Sequence, residues 1–150
     1  MNHVTNFRQT RRDGKVIEEQ MSVEDILCLG WKPDKIVHIE WKFDGRAVNL
    51  DFPRGVLAEV LPSRYAVVFR PHSGEMLLVF NSDGTERLRV TEIESKDGKM
   101  VSGTFEWFEL PRSGVATNIG VVYRRADNGH LFETEIDTST GKAVQWYQTK

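Results

Sequence analysis

Val37-His38-Ile39-Glu40-Trp41-Lys42-Phe43-Asp44-Gly45-Arg46-Ala47-Val48-Asn49-Leu50-Asp51-Phe52 is the stretch on which the fold turns. Asp-Gly between two runs of alternating polarity marks a tight hairpin, because both residues tolerate the positive φ that a two-residue primed turn requires. A turn centred on Asp44-Gly45 fixes which residues face each other. Trp41 then meets Val48, Ile39 meets Leu50 and Val37 meets Phe52 on one face. The other face holds Lys42 with Ala47, Glu40 with Asn49 and His38 with Asp51. Apolar meets apolar and polar meets polar at nearly every step. The pattern predicts a hairpin that buries Val37, Ile39, Trp41, Val48, Leu50 and Phe52.

The same punctuation recurs outward from this hairpin. Asp13-Gly14, Ser73-Gly74, Asp83-Gly84, Asp97-Gly98, Ser113-Gly114, Asn128-Gly129 and Thr140-Gly141 separate short runs rich in β-branched and aromatic residues. A two-residue turn at Asn128-Gly129 would place Val121 opposite Ile136, Tyr123 opposite Thr134, Arg124 opposite Glu133 and Val122 opposite Glu135. Around Ser73-Gly74 and Asp83-Gly84 a meander is expected, with strands near 65–70, 76–81 and 85–93; its middle strand is apolar on both faces, as in a strand covered on both sides. Helix is scarce. Ser22 and Asp25 form a capping-box pattern before a Val23, Ile26, Leu27 stripe that Gly30 and Pro33 end. A second short helix is expected from Pro53, with Val56, Leu57, Val60 and Leu61 at helical spacing and Pro62 as its stop. The fold class is therefore α+β and mainly β. Antiparallel hairpins and a meander form a sheet, sandwich or partial barrel with one or two short helices, in a single β-rich domain over residues 1–150.

Hydrophobic residues make up 39% and charged residues 28% of the chain, which fits a globular protein rather than a disordered one. Formal net charge is −2, with 11 basic and 11 acidic side chains in residues 1–75 and 9 and 11 in residues 76–150. That balance lacks the basic footprint of phosphate-backbone binding and disfavours nucleic acid as a partner. A local group of Arg8, Arg11, Arg12 and Lys15 reads first as a solvated strand end. Cys28 is the single cysteine, so an intramolecular disulfide and a cysteine-based zinc site are excluded. It is expected to be a buried or half-buried thiol on the first helix. The polar opening from Met1 to Lys15 resembles no secretory signal, and the run from Met76 to Phe80 is too short to span a bilayer. Cytoplasm without membrane association is the expected location.

Three constellations carry candidate chemistry. His38 faces Asp51, with Glu40 two residues along; a carboxylate beside an imidazole is what a general base or metal ligand needs. A cross-strand pair that steadies an exposed sheet face explains the same residues and ranks first. Glu133 and Glu135, followed by Asp137, alternate with Phe132, Thr134 and Ile136, the pattern of a half-exposed strand, with an acidic docking stripe as the second reading. The aromatics Trp31, Trp41, Trp107 and Trp146 accompany Phe105, Phe108, Tyr123 and Tyr147. In Phe105-Glu106-Trp107-Phe108-Glu109 both strand faces carry an aromatic, so one face can pack the core while the other meets a partner.

Phosphate-loop, zinc-protease, nucleophile-elbow and calcium-loop motifs are absent from the sequence. Asp137 to Trp146 resembles the Asp…Thr-Gly-Lys…Trp hairpin of quinoprotein propeller blades. It occurs once, where a propeller needs several blades, so the resemblance implies a strand–turn–strand and no function. The leading reading is a small non-catalytic protein that binds another protein, in its concrete form a bacterial immunity or inhibitor protein that blocks a cognate toxin. Trp107, Phe108, Glu133 and Glu135 are its expected contact residues, and no cofactor or metal is implied. The alternatives are a small-molecule binder with a tryptophan-lined pocket, and a hydrolase using His38, Asp51 and Glu40.

Overall fold

In the computed structural model, which describes residues 3–30 and 35–148, Asp44 and Gly45 take φ of 50° and 78°, the two positive values of a primed turn. They join β3 (Ile36–Phe43) to β4 (Arg46–Val60). Trp41 pairs with Val48, Ile39 with Leu50, Glu40 with Asn49 and His38 with Asp51, as the alternation demands. Ile39 and Trp41 are fully buried; Val48, Leu50 and Phe52 pack against the same core. The expected Val37–Phe52 pair does not form. Register jumps from His38–Asp51 to Ile36–Val56, so residues 52–55 bulge opposite Val37, and Ile36 rather than Val37 reaches the core.

That bulge also removes the expected second helix. Pro53 brings no amide to the ladder and Gly55 takes φ of 101°, so both suit a bulge rather than a helix start. Beyond it β4 runs on to Val60 and exchanges β3 for β5 (Ala66–Pro71) as its partner. The expected meander is present as β5, β6 (Leu77–Asn81) and β7 (Glu86–Val90). With β1 (Thr5–Arg11) and β2 (Val16–Glu18) these strands form a seven-stranded antiparallel sheet in the order β2-β1-β3-β4-β5-β6-β7.

This sheet is strongly coiled. Three strand spacings would put β6 about 14 Å from β3 in a flat sheet, yet the Trp41 Nε1 donates to the Ser82 carbonyl, just past β6, at 2.7 Å. Phe69 lies between them, 6.2 Å from the Trp41 ring and 5.4 Å from Phe80. The concave face thus closes on its own aromatic core, while β2 and β7 remain separate edges.

A second core lies on the other face. Ala66, Val68, Leu77, Val79 and Val90 meet Phe105, Ile119, Val121, Tyr123 and Ile136 from a four-stranded sheet. That sheet has the order β10 (Gly103–Glu109), β11 (Asn118–Arg125), β12 (Leu131–Asp137), β13 (Lys142–Gln148). A small hairpin, β8 (Ile93–Glu94) with β9 (Met100–Val101), fills the corner between the sheets. Leu77 and Val79 face one core and Leu78 and Phe80 the other, which accounts for a middle strand apolar on both sides.

Most Asp-Gly turns span one residue more than the first hairpin's. At Arg11–Lys15, Asn81–Thr85 and Ser95–Lys99 the first amide donates to the last carbonyl, and each turn glycine donates back to the first residue. The Asp side chains of residues 13, 83 and 97 each accept from the amide two positions on. Asn128-Gly129 departs further. Gly129 has φ of 71° as its residue type requires, but the Arg125 amide donates to the His130 carbonyl across a four-residue loop. Val121 therefore pairs with Thr134, Val122 with Glu133 and Tyr123 with Phe132, two residues from the expected register. A two-residue slip preserves parity, so every side chain keeps its expected face.

The one helix among the described residues, α1 (Val23–Leu27), has the expected capping box: Asp25 N donates to Ser22 Oγ at 3.1 Å and Ser22 N to Asp25 at 3.2 Å. Its stripe is not buried, since Val23 and Leu27 are exposed, and Cys28 is exposed rather than buried. Of the stripe only Ile26 is half-buried, in a groove it shares with Ile17 and Val60. Trp31 and Pro33 lie outside the described residues.

Candidate functional site on the outer face of the four-stranded sheet

In β10 the Phe105–Tyr123 pair is followed by Trp107–Val122, with Glu106 as the extra residue of a bulge. Without it Trp107 would share the inward face of Phe105. With it Trp107 turns outward and Phe108 turns inward, where it packs against the second core. Aromatics on both faces of this strand are therefore a consequence of one inserted residue. Trp107, Val122, Glu133 and Tyr147 follow one another across the four strands on the outer face.

Glu133 and Glu135 point to that face, but they are not a solvated stripe. Their exposures are 6% and 0%. The segment between β10 and β11 folds over them. Arg112 donates to Glu133 from Nε at 3.1 Å and from Nη2 at 3.0 Å, a two-point clamp, and its guanidinium lies 4.7 Å from the Tyr147 ring centroid. Glu135 accepts from Ser113 N at 2.7 Å, Ser113 Oγ at 2.6 Å, Asn118 Nδ2 at 3.1 Å and Tyr147 OH at 3.0 Å. Burial pushes the Glu135 carboxyl up, but these four hydrogen bonds together outweigh it and hold the group below its ordinary range. Arg124, expected opposite Glu133, instead pairs with Glu106 at 2.8 Å.

The covering segment is anchored at its far end as well. Ser63 N donates to the Ala116 carbonyl at 3.1 Å, and Thr138 Oγ1 to the Thr117 carbonyl at 2.6 Å. A loop held at four places nonetheless presents apolar side chains to solvent: Leu110 is 74% exposed and Val115 45%, beside Trp107 at 44%. Exposed apolar groups on a rigid frame are what a protein interface uses, because little conformational entropy is lost on docking.

The His38 constellation has a different character. Nδ1 lies 2.6 Å from Asp51 Oδ1 and Nε2 lies 3.0 Å from Asn49 Oδ1, on an open sheet face where Asp51 is well exposed. Glu40 turns instead to Arg8 at 3.3 Å. An acceptor at each ring nitrogen stabilises the imidazolium and engages both nitrogens in hydrogen bonds within the sheet face. The hydrogen bond to Asp51 chiefly raises the His38 pKa above 6.5; burial opposes it, and the Asn49 hydrogen bond and the charges of Asp51 and Glu40 add smaller upward effects. Its stabilising contribution is therefore complete below about pH 6.5 and is lost as pH rises through the raised value. Proton titration of the His38 ring by NMR is expected to show a midpoint above 6.5 that falls in Asp51→Asn; a midpoint at or below 6.5 in the parent would overturn this assignment.

Of the basic group near the N-terminus, Arg8 pairs with Glu18 and Glu40, and Arg11 with Asp13. The described tryptophans do not converge on one pocket. Trp41 is core, Trp107 lies outside, and Trp146 donates to the Glu94 carbonyl at 2.8 Å beside a cleft of about 380 Å³.

No protein-family model matches the chain, and no curated protein does. A solved structure of Tne2 in complex with Tni2 contains a chain similar to this one, with a TM-score of 0.87 at 27% identity. The match covers 98% of this chain and 99% of that one.

Proposed function

We propose that this chain is a non-catalytic partner-binding protein of the immunity or inhibitor type, which blocks a cognate toxin by seating on it. The observation that carries this reading is the end-to-end likeness to a chain from a two-protein complex. The outer face of the four-stranded sheet supports it. Trp107, Leu110 and Val115 form the contact rim, and Glu133 and Glu135 serve it from beneath by fixing Arg112 and Ser113. Phe108 lies on the core side, turned inward by the same bulge that turns Trp107 out. In this reading the protein works in the cytoplasm, without cofactor, nucleic acid or membrane.

The test is to co-produce the chain with the product of the adjacent gene and measure binding by calorimetry. Trp107→Ala is expected to weaken the complex by about 2 kcal/mol, near 30-fold, as for a central aromatic anchor. Its melting temperature should change little, because the ring is nearly half exposed. His38→Ala is expected to bind like the parent. If His38→Ala instead abolishes turnover of a small substrate while Trp107→Ala behaves normally, an enzyme with His38, Asp51 and Glu40 at its centre replaces this reading.

A further inference from the structure

A groove of about 490 Å³ runs between β2, α1 and the end of β4, lined by Phe7, Ile17, Met21, Ile26 and Val60 and bounded at one end by Leu110. Leu110 belongs to the anchored segment described above, and Ser63, beside the groove residue Pro62, bonds that segment at Ala116. Groove and rim are thus one continuous surface.

The charges along this groove are not balanced. Its lining holds Glu18, Glu19 and Glu59 against a single cation, Arg64. Arg64 is already committed: it donates to Glu19 through both terminal nitrogens, at 2.8 Å from Nη2, and to the Val4 carbonyl at 2.9 Å. Glu18 is held by Arg8 at 3.2 Å. Glu59 is left half-buried, its carboxylate with no hydrogen bond or ion pair among the described residues. A carboxylate in that position loses part of its water without gaining a partner, and burial accordingly raises its pKa above 4.5.

We infer that the groove receives a segment of the partner protein whose apolar side chain fills the space beside Ile17, Ile26 and Val60 and whose lysine or arginine pairs with Glu59. Charge complementarity selects this occupant: the one unanswered charge in an apolar groove is negative. A second copy of the chain fits less well, because a two-fold contact through this groove would set Glu59 against its symmetry mate and bring only the committed Arg64 as a cation. The inference rests on the partner-binding reading and names where that partner enters.

The experiment measures binding of the adjacent-gene product to the full chain and to Glu59→Gln and Glu59→Lys, with thermal unfolding of each free protein. Glu59→Gln is expected to raise the melting temperature, since the uncharged amide relieves the desolvation, and to weaken binding about tenfold. Glu59→Lys should weaken it at least about hundredfold, mainly through faster dissociation. A merely structural Glu59 would not give greater stability together with weaker binding. Unchanged affinity in both variants, while Trp107→Ala still weakens the complex, overturns the inference and spares the partner-binding reading. Failure of the parent to bind overturns both. A parent dimer that Glu59→Lys dissolves would make a second copy the occupant and overturn the inference.

Discussion

Trp41→Ala is expected to lower unfolding stability by about 3–5 kcal/mol, the range for truncating a large core aromatic. The ring is fully buried, lies 6.4 Å from Phe7 and 6.2 Å from Phe69, and carries the hydrogen bond that ties β3 to the turn after β6. Its removal opens a cavity at the centre of the coiled sheet and leaves the Ser82 carbonyl without its indole donor. Trp41→Phe separates these effects: most packing is kept while the donor is lost, for a cost of about 1–3 kcal/mol. Urea unfolding at 25 °C measures both, read from the shift in midpoint at constant slope. A domain of ordinary stability has about 5–15 kcal/mol in all, so the alanine variant sits near the edge of folding. A loss below about 1 kcal/mol would mean that Trp41 does not bridge the sheet.

The residues around Trp41 also show why this part of the fold is readable from sequence. A two-residue turn leaves no freedom in register, and Ile39, Trp41, Val48 and Leu50 fall on one face by parity alone. The Asn128-Gly129 hairpin keeps its faces for the same reason and loses its register, because the number of residues spent in the loop is not written in the dipeptide. Val56, Leu57, Val60 and Leu61 fit a helical stripe equally well as a strand that meets apolar neighbours on both sides. Only the pairing of β4 with two successive partners decides between them, although Pro53 and Gly55, three residues and one residue before Val56, mark a bulge. Glu106 is legible in hindsight, since an aromatic followed by two more after one polar residue breaks strict alternation.

The candidate site was less accessible for a physical reason. Glu133 and Glu135 alternate with hydrophobic residues as solvated side chains do, and nothing local distinguishes them. What buries them is Arg112 and Ser113, 21 and 22 positions earlier in the chain. Periodicity reports the face on which a side chain lies. It does not report whether a distant loop later covers that face.

Glu135→Ala is expected to cost about 3–5 kcal/mol and to weaken partner binding along with stability. The carboxylate takes four hydrogen bonds at full burial, and its removal leaves Ser113 N, Asn118 Nδ2 and Tyr147 OH without their acceptor. The segment carrying Leu110 and Val115 then loses its anchor at Ser113 while keeping those at Arg112, Ala116 and Thr117, so part of the contact rim must be reordered on each binding event. Glu135→Gln is milder, since Ser113 Oγ, Tyr147 OH and the Asn118 amide can turn to suit it, whereas Ser113 N remains a fixed donor. The pH dependence supplies the sharper readout. Because the folded pKa lies below the ordinary 4.5, the charged group stabilises the fold fully above that value, and its contribution is lost as pH falls through the depressed one. The parent should therefore lose stability on acidification below about pH 4.5 more steeply than Glu135→Gln does, with the two curves running parallel above about pH 6. Chemical unfolding at a series of pH values from 3 to 7 measures the difference. Equal acid slopes in parent and glutamine variant would show that Glu135 is not the charged clasp of this loop.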